Sequence, residues 1–272
     1  MAQKRFLVIS AHPDDGDIRC GGTAIKMAQA GHLVKFVSCC NGDCGHYGMT
    51  HEALAARRFG EAQAAKEVAG LVEYQVLKYH DCEIQATLEL RKEIIRIIRS
   101  FQPDVVISHR LCDYHADHRN VAQSVLDAAY LVMVPMFCDD TPCPPKNPVF
   151  AYNYDNFKDP HPIRADAVVP IDDVIEKKMQ MLSCHVSQFF EWLAYEKGFG
   201  NMDASKMSWE EKRTWLMKYW GQRSIDSANA GRDQLVKVFG DAGKSVTHAE
   251  IYEFSPYGAK VTPEEFQALF SC

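Results

Sequence analysis

Phe6-Leu7-Val8-Ile9-Ser10-Ala11-His12-Pro13-Asp14-Asp15 begins as an apolar run of strand length and ends in an acidic loop that carries a histidine. Proline at 13 cannot donate to a sheet ladder, so the strand is expected to stop before it. Beyond the loop, Gly21-Gly22-Thr23 leads into Ala24 to Gly31, which reads as a helix with Gly31 at its C-cap. The same order recurs a hundred residues later. Asp104-Val105-Val106-Ile107-Ser108 is strand-like, His115-Ala116-Asp117-His118 follows closely, and Asn120 to Val134 places Val121, Val125, Ala128, Ala129 and Val132 at helical spacing. Two strand-loop-helix units imply an α/β fold with a mainly parallel, Rossmann-like sheet. In such sheets ligands bind outside the carboxyl ends of the strands, where the two loops can converge on one metal site.

The chain has 272 residues, enough to bury a full core, with no linker-like stretch and no internal repeat. One domain spanning 1–272 is expected. Its net charge of −6 argues against non-specific binding to nucleic acid or to an anionic membrane surface. With no run of about 20 apolar residues and a first strand close to residue 1, a soluble cytoplasmic protein is expected. The ten cysteines form no CxxC pair and read as reduced, mostly buried thiols. Two less favoured readings are a zinc site from Cys39, Cys40, Cys44 and His46, and a disulfide joining Cys138 to Cys143.

Between the two units, Leu33 to Ser38 reads as a second strand and Asn41-Gly42-Asp43 as a turn. His51 to Ala69 is a long helix ending at Gly70, Tyr74 to Leu77 a weaker strand, and Leu88 to Phe101 a helix stopped by Pro103. The five prolines of Pro135 to Pro148 suit an ordered loop that could wall a substrate pocket. Phe150 to Tyr154 and Ala167 to Ile171 are further strands, and Asp172 or Asp173 can cap a helix reaching Phe190. Ser208-Trp209-Glu210-Glu211 is a capping-box pattern, starting a helix that lines up Trp209, Leu216 and Trp220, with Trp215 and Tyr219 beside them. That aromatic surface favours core packing or a subunit contact in a homo-oligomer over substrate stacking. Thr262-Pro263-Glu264-Glu265 begins a short last helix.

Zinc takes neutral imidazole and carboxylate ligands, and catalytic sites pair three protein ligands with a water of lowered pKa. His12, Asp15 and His118 can supply that set, since a His-x-x-Asp turn folds both side chains onto one ion. The donors also suit Fe²⁺ or Co²⁺. Asp14 is then the natural general base. His115 exceeds the metal's needs; held by Asp117, it could stabilise an oxyanion and protonate a leaving amine, or it could serve substrate binding only.

These motifs resemble those of the LmbE-like family, also called PIG-L-type deacetylases, metal-dependent enzymes that remove acetyl groups from N-acetylglucosamine compounds. Ala11-His12-Pro13-Asp14-Asp15-Gly16-Asp17 and Cys20-Gly21-Gly22-Thr23 match the family's first motif, and His115-Ala116-Asp117-His118 its His-Pro-Asp-His with the proline lost. Asn41-Gly42-Asp43-Cys44-Gly45, Arg58-Phe59-Gly60-Glu61-Ala62, and Lys178 with His185-Val186-Ser187-Gln188 are similar to later segments. The similarity runs from residue 6 to about 190 and leaves 191–272 as a helical and strand extension. The resemblance implies His12, Asp15 and His118 as metal ligands, Asp14 as base, His115 as electrostatic catalyst and Asp117 as its orienting partner. It also implies Arg58 as a substrate or oxyanion contact. Asn41, Asp43 and His185 are further candidates for substrate binding, although His185 with Gln188 equally suits a buried polar pair. Asp17 stands where glutamate is usual and reads as supporting the metal ligands or capping a helix. Arg19 replaces a frequent glycine and equally suits a solvated surface charge.

The expected activity is a metal-dependent hydrolase in which metal-activated water attacks the acetamide of an N-acetylglucosamine-type amino sugar and releases acetate and free amine. Polar groups on the loops after residues 15, 43 and 111 are expected to recognise the sugar. An amidohydrolase of a non-sugar amide is the alternative, with a non-catalytic zinc- or sugar-binding protein behind it.

Overall fold

A continuous apolar strand needs cover on both faces, and Phe6–Ile9 receive it. In the computed structural model, which describes residues 2–200 and 202–271, β1 (Arg5–Ser10) is flanked by β2 (Leu33–Cys40) and β4 (Val105–Ser108), parallel to both. Phe6 and Val8 join one core layer with Ile25, Met27, Ala62 and Ala65, while Leu7 and Ile9 join the other with Ile94, Ile98, Val121 and Val125. The helices behind those layers are α1 (Asp15–Gln29) and α2 (His51–Ala69) on the first face, and α3 (Leu88–Phe101) and α4 (Ala116–Leu131) on the second.

With β3 (Glu73–Tyr79), β5 (Val149–Asn153), β6 (Ala167–Pro170) and β7 (Ala249–Gly258), the seven-stranded sheet has the order β3-β2-β1-β4-β5-β7-β6. Strands β1 to β5 are parallel, and β7 runs antiparallel to β5 and β6. The strand order reverses at β1, so the loops leaving β1 and β4 part around a crevice at their carboxyl ends. His12 and His115 leave the sheet there.

Local signals set α2 and α3. Thr50 and Thr87 cap them by accepting from the backbone N–H groups of Ala53 and Leu90, and Gly70 ends α2 at φ 75°. The capping box at Ser208 forms as read, and the last helix starts at Pro263 behind Thr262, which makes a second capping box with Glu265. Four expectations need correction. First, α1 starts at Asp15, not after Thr23, because an acidic first turn stabilises a helix N-terminus as readily as it suits a loop. Second, the helix expected to reach Phe190 stops as α5 (Ile175–Ser183), and a π-helical turn at Ser187–Trp192 follows. Asp172 does not cap it; the carboxylate accepts from the N–H groups of Thr247 and His248 at 3.1 and 2.8 Å. Third, Pro135–Pro148 lies at the opposite end of the sheet from the crevice, because α4 carries the chain back to where β5 begins. Arg99 ties that loop down through the carbonyls of Val134, Cys138 and Thr141. Fourth, Cys138 and Cys143 are free thiols, and His46 pairs with Glu191 at 2.9 Å instead of meeting Cys39 and Cys40, which lie in the core.

Residues beyond 190 are part of the same fold. β7 is inserted into the sheet, and Gln267 bonds both the N–H and the carbonyl of Val168. Trp215, Leu216 and Trp220 pack with Phe189 and Phe190 into a third apolar cluster, with Trp215 Nε1 donating to the Phe189 carbonyl at 2.8 Å. Among the described residues, no helix is long and apolar enough to cross a membrane.

Candidate metal and catalytic site

The turn after β1 folds back on itself: Asp15 Oδ2 accepts the His12 N–H at 2.8 Å and lies 3.2 Å from His12 Nδ1. His118, in the first turn of α4, brings Nε2 to 3.1 Å from His12 Nδ1 and 3.3 Å from Asp15 Oδ2. Two imidazole nitrogens and a carboxylate oxygen thus form a near-equilateral triangle. Tetrahedral zinc with bonds of about 2.0–2.2 Å holds its ligand atoms about 3.3–3.6 Å apart, so the donor set fits such an ion. Each imidazole also backs onto carboxylates, as metal-binding histidines do. His12 Nε2 lies 3.1 Å from Asp81 Oδ1 and 3.3 Å from Asp117 Oδ2, and His118 Nδ1 lies 3.0 Å from Asp113 Oδ1.

Burial alone would raise the Asp15 carboxyl, but His118 and His12 outweigh it and hold the group well below the usual range. Asp81 and Asp113 are likewise opposed by burial and still held low, by His12 and Arg58 in one case and by His118 and Arg19 in the other. Asp14 differs. Burial raises it, and Arg58, with Nη2 at 3.2 Å, only partly offsets the effect. Asp14 occupies the N-cap position of α1 without a side-chain cap bond, which leaves its carboxylate to the pocket. Arg58 is 2% exposed, donates to the Gly42 carbonyl at 3.2 Å and approaches Asp81 at 3.7 Å. Gly42 has φ 70°, and a Cβ there would sit 2.4 Å from Arg58 Nη1, so glycine meets both the turn and the close approach.

His115 caps α4: its Nδ1 accepts the Asp117 N–H at 3.2 Å, which leaves Nε2 as the nitrogen that can carry a proton. Burial, then His12 and His118, push it below the ordinary histidine value. The Asp117 carboxylate turns away from this ring and accepts the N–H groups of Cys82 and Ile84 at 2.7 and 3.2 Å, clamping the loop after β3 beside His12.

A cavity of about 370 Å³ has His12, Asp14, Asp15, Arg58, His115 and His118 on its wall, a size and depth suited to a small molecule. Three further candidates lie behind that wall. Asn41 Oδ1 accepts the Asp43 N–H, and Asp43 accepts from His80 Nδ1 and the Asp81 N–H, so both brace the loop that carries Asp81. His185 is fully buried on Asp17 at 3.0 Å, with Tyr74 on the other Asp17 oxygen at 2.8 Å.

Asp81, Asp113, His109, Tyr114, Trp192 and Arg223 also surround this site, and no sequence pattern singled them out. His109 stacks on His118 at 4.3 Å, and burial pushes it down to about 4. Asp81 and Asp113 each follow a parallel strand closely, a position that could have marked them. Trp192 and Arg223 come from distant helical segments that close the cavity. Arg19 is not a solvated surface charge: its side chain is 9% exposed and pairs with Asp113 at 3.3 Å.

The profile of the PIG-L family, GlcNAc-PI de-N-acetylase, matches residues 7–129. A diacetylchitobiose deacetylase of Thermococcus kodakarensis is 30% identical over 209 residues, spanning 71% of this chain and 74% of that protein. A 4-oxalmesaconate hydratase of Pseudomonas putida is 26% identical over 208 residues, 72% and 78% of the two chains. Among solved structures, the N,N'-diacetylchitobiose deacetylase of Pyrococcus horikoshii superposes with a TM-score of 0.71 at 22% identity, covering 93% of this chain and 84% of that one. Together with the sheet order and the two strand-end motifs, these matches establish that the chain belongs to the PIG-L, or LmbE-like, family.

Proposed function

We propose that the protein is a metal-dependent N-deacetylase that hydrolyses the acetamide of an N-acetylglucosamine-type amino sugar. The observation that carries this is the juxtaposition, in one cavity, of the His12–Asp15–His118 triangle, a buried carboxylate held by Arg58, and an imidazole whose free nitrogen is Nε2. A divalent ion held by the triangle would supply Lewis acidity to the carbonyl and make a neighbouring water more acidic.

The chain's own groups then have definite tasks. Asp14 takes a proton from the attacking water, a task favoured by a carboxyl whose pKa burial raises above its ordinary value. Arg58 fixes that carboxylate in place. His115 Nε2 donates to the oxygen that gains charge as water adds to the carbonyl carbon, and the proton that Asp14 took from the water passes to the sugar nitrogen as the C–N bond breaks. Acetate and a free amine leave.

The test is amine release from a panel of N-acetylglucosamine conjugates by zinc-loaded protein, with Asp14→Ala as control. Amine from the intact protein alone supports the proposal; no amine from any conjugate, with one metal bound per chain, sinks it. The hydratase relative favours a second reading, addition of water across a carbon–carbon double bond of a polycarboxylate. Loss of conjugated-alkene absorbance without amine release would select it.

A further inference from the structure

The loops after β2 and β3 leave neighbouring parallel strands and meet at the mouth of the catalytic cavity, where Cys44 and Cys82 both line the wall. Cys44 Sγ lies 3.8 Å from Nδ1 of His51, the first residue of α2, and the same nitrogen lies 3.8 Å from Asp43 Oδ2. One donor atom from each of Asp43, Cys44 and His51 falls within 4.8 Å of the other two. Tetrahedral zinc, with bonds of about 2.3 Å to sulfur and about 2.0–2.2 Å to nitrogen and oxygen, holds such atoms about 3.3–3.6 Å apart. The trio is thus a slightly expanded counterpart of the catalytic triangle. It is also a different set from Cys39, Cys40, Cys44 and His46, since Cys39 and Cys40 belong to β2 and the core while Cys44 lies past the strand's end.

Each donor is within reach of one ion. Asp43 is already fixed: Oδ2 accepts from His80 Nδ1 at 2.6 Å and Oδ1 accepts the Asp81 N–H at 3.0 Å, so its carboxylate needs no further ordering. His51 Nδ1 donates to the Asp43 carbonyl at 2.9 Å, and this exposed ring can carry its proton on Nε2 instead, which frees Nδ1 for a metal. Cys82 neighbours the Cys44 thiol, is exposed, and makes one long contact of 3.5 Å to Asp81 Oδ1, so its sulfur can turn inward as a fourth donor. Burial, then Asp81 and Asp43, push the Cys44 thiol up, and burial with Asp81 pushes Cys82 up to about 12. Thiols held in that way are poor nucleophiles on their own, but a cation can displace the proton and take the thiolate.

We propose that Asp43, Cys44, His51 and Cys82 form a second, weaker site for a thiophilic divalent cation, zinc foremost, at the rim of the catalytic cavity. Bound there, the ion ties the loop after β2, the start of α2 and the loop after β3 to one another. This site does not depend on which reaction the catalytic centre performs. Its wider spacing and partial exposure make it the weaker of the two, so it empties on desalting and leaves one metal per chain.

Cobalt(II) titration of the reduced, metal-free protein tests the site, because thiolate-to-cobalt charge transfer absorbs in the near ultraviolet and the His12–Asp15–His118 triangle contains no sulfur. The first equivalent fills the triangle without that absorption. Further cobalt then brings up the sulfur band, and zinc abolishes it. Cys44→Ser and Cys82→Ser should each lower the band and weaken the second binding event about tenfold or more. His51→Ala should weaken that event while part of the band remains, and His118→Ala should remove the first event and keep the band. Circular dichroism reports the folding of each variant, and the exposed Cys82 provides a test should Cys44→Ser fail to fold. No sulfur band from the intact protein at excess cobalt, or a band of full height and affinity in folded Cys44→Ser or folded Cys82→Ser, overturns the proposal.

Discussion

The two halves of this molecule build the site in different ways. On the β3-β2-β1-β4 side, reactive groups sit within a few residues of a strand's carboxyl end, and local turns aim them: His12 and Asp15 after β1, Asp81 after β3, Asp113, His115 and His118 after β4. On the other side, β5, β6, β7 and the helices beyond 187 contribute walls, and those walls depend on long-range packing such as Trp215 on the Phe189 carbonyl. The difference teaches a division of labour. Substitutions in the first half should change metal content or turnover while the fold stands; substitutions in the second should change stability or ligand preference while the metal stays.

The sharpest way to break that division is Asp14→Ala. It should lower turnover by about 10³-fold, within the range for losing a positioned general base, with metal content by elemental analysis close to one per chain. His118→Ala should do the reverse and lose the metal itself. If Asp14→Ala also empties the site, the carboxylate belongs to the ligand set and not to proton transfer.

The matching experiment in the other half is Glu250→Ala. This buried carboxylate on β7 accepts from the N–H groups of Gly22 and Thr23 at 2.9 and 2.8 Å and pairs with Lys178 at 2.7 Å, so it welds the late strand to the first helix. Removing it strands a buried ammonium and should cost about 3–5 kcal/mol in denaturant unfolding. An unfolding midpoint like that of the intact protein would mean the two halves are not joined there.

How much of this was legible beforehand follows the same division. β1, β4, α2 and α3 could be read because apolar runs, Gly70 and Pro103 are signals within a few residues. The His12 and His115 motifs could be read because each lies at a strand end. Asp113 and Asp81 could not, because a lone acid gains meaning only once the strand order sets it behind an imidazole. β7 was hidden for another reason: Pro256 interrupts its pattern, and the strand tolerates it where the pairing with β5 is irregular between Val149 and Ala151. The break before Ser187 was equally silent, since the His185 ring is committed to Asp17, 168 residues earlier in the chain.

Asp113→Asn tests the carboxylates behind the metal ligands at a smaller scale. Loss of such a partner usually weakens metal binding about 10–100-fold. Zinc competition against a fluorescent chelator should show that weakening for Asp113→Asn, whereas Asp226→Asn, exposed on the helix at 222–230, should leave zinc affinity unchanged. Equal effects would show that the metal site feels the wall's charges as strongly as those directly behind its ligands.

The smallest expected effect probes whether the wall is a separate cooperative unit. Ser208 accepts the Glu211 N–H at 3.3 Å while Glu211 reaches back to the Ser208 N–H at 2.8 Å, and both residues are exposed. Ser208→Ala removes half of that reciprocal cap at a cost of about 1 kcal/mol. No catalytic group is touched, so the loss should appear where the helix it starts leads, through Trp215 and Trp220 to Arg223. Hydrogen exchange of the amides in 209–230 should then quicken about fivefold, while those of β1, β2 and β4 keep their protection. Equal acceleration in both regions would mean that the wall opens only with the whole molecule, and that the division between reactive strand ends and packed walls is one of chemistry alone.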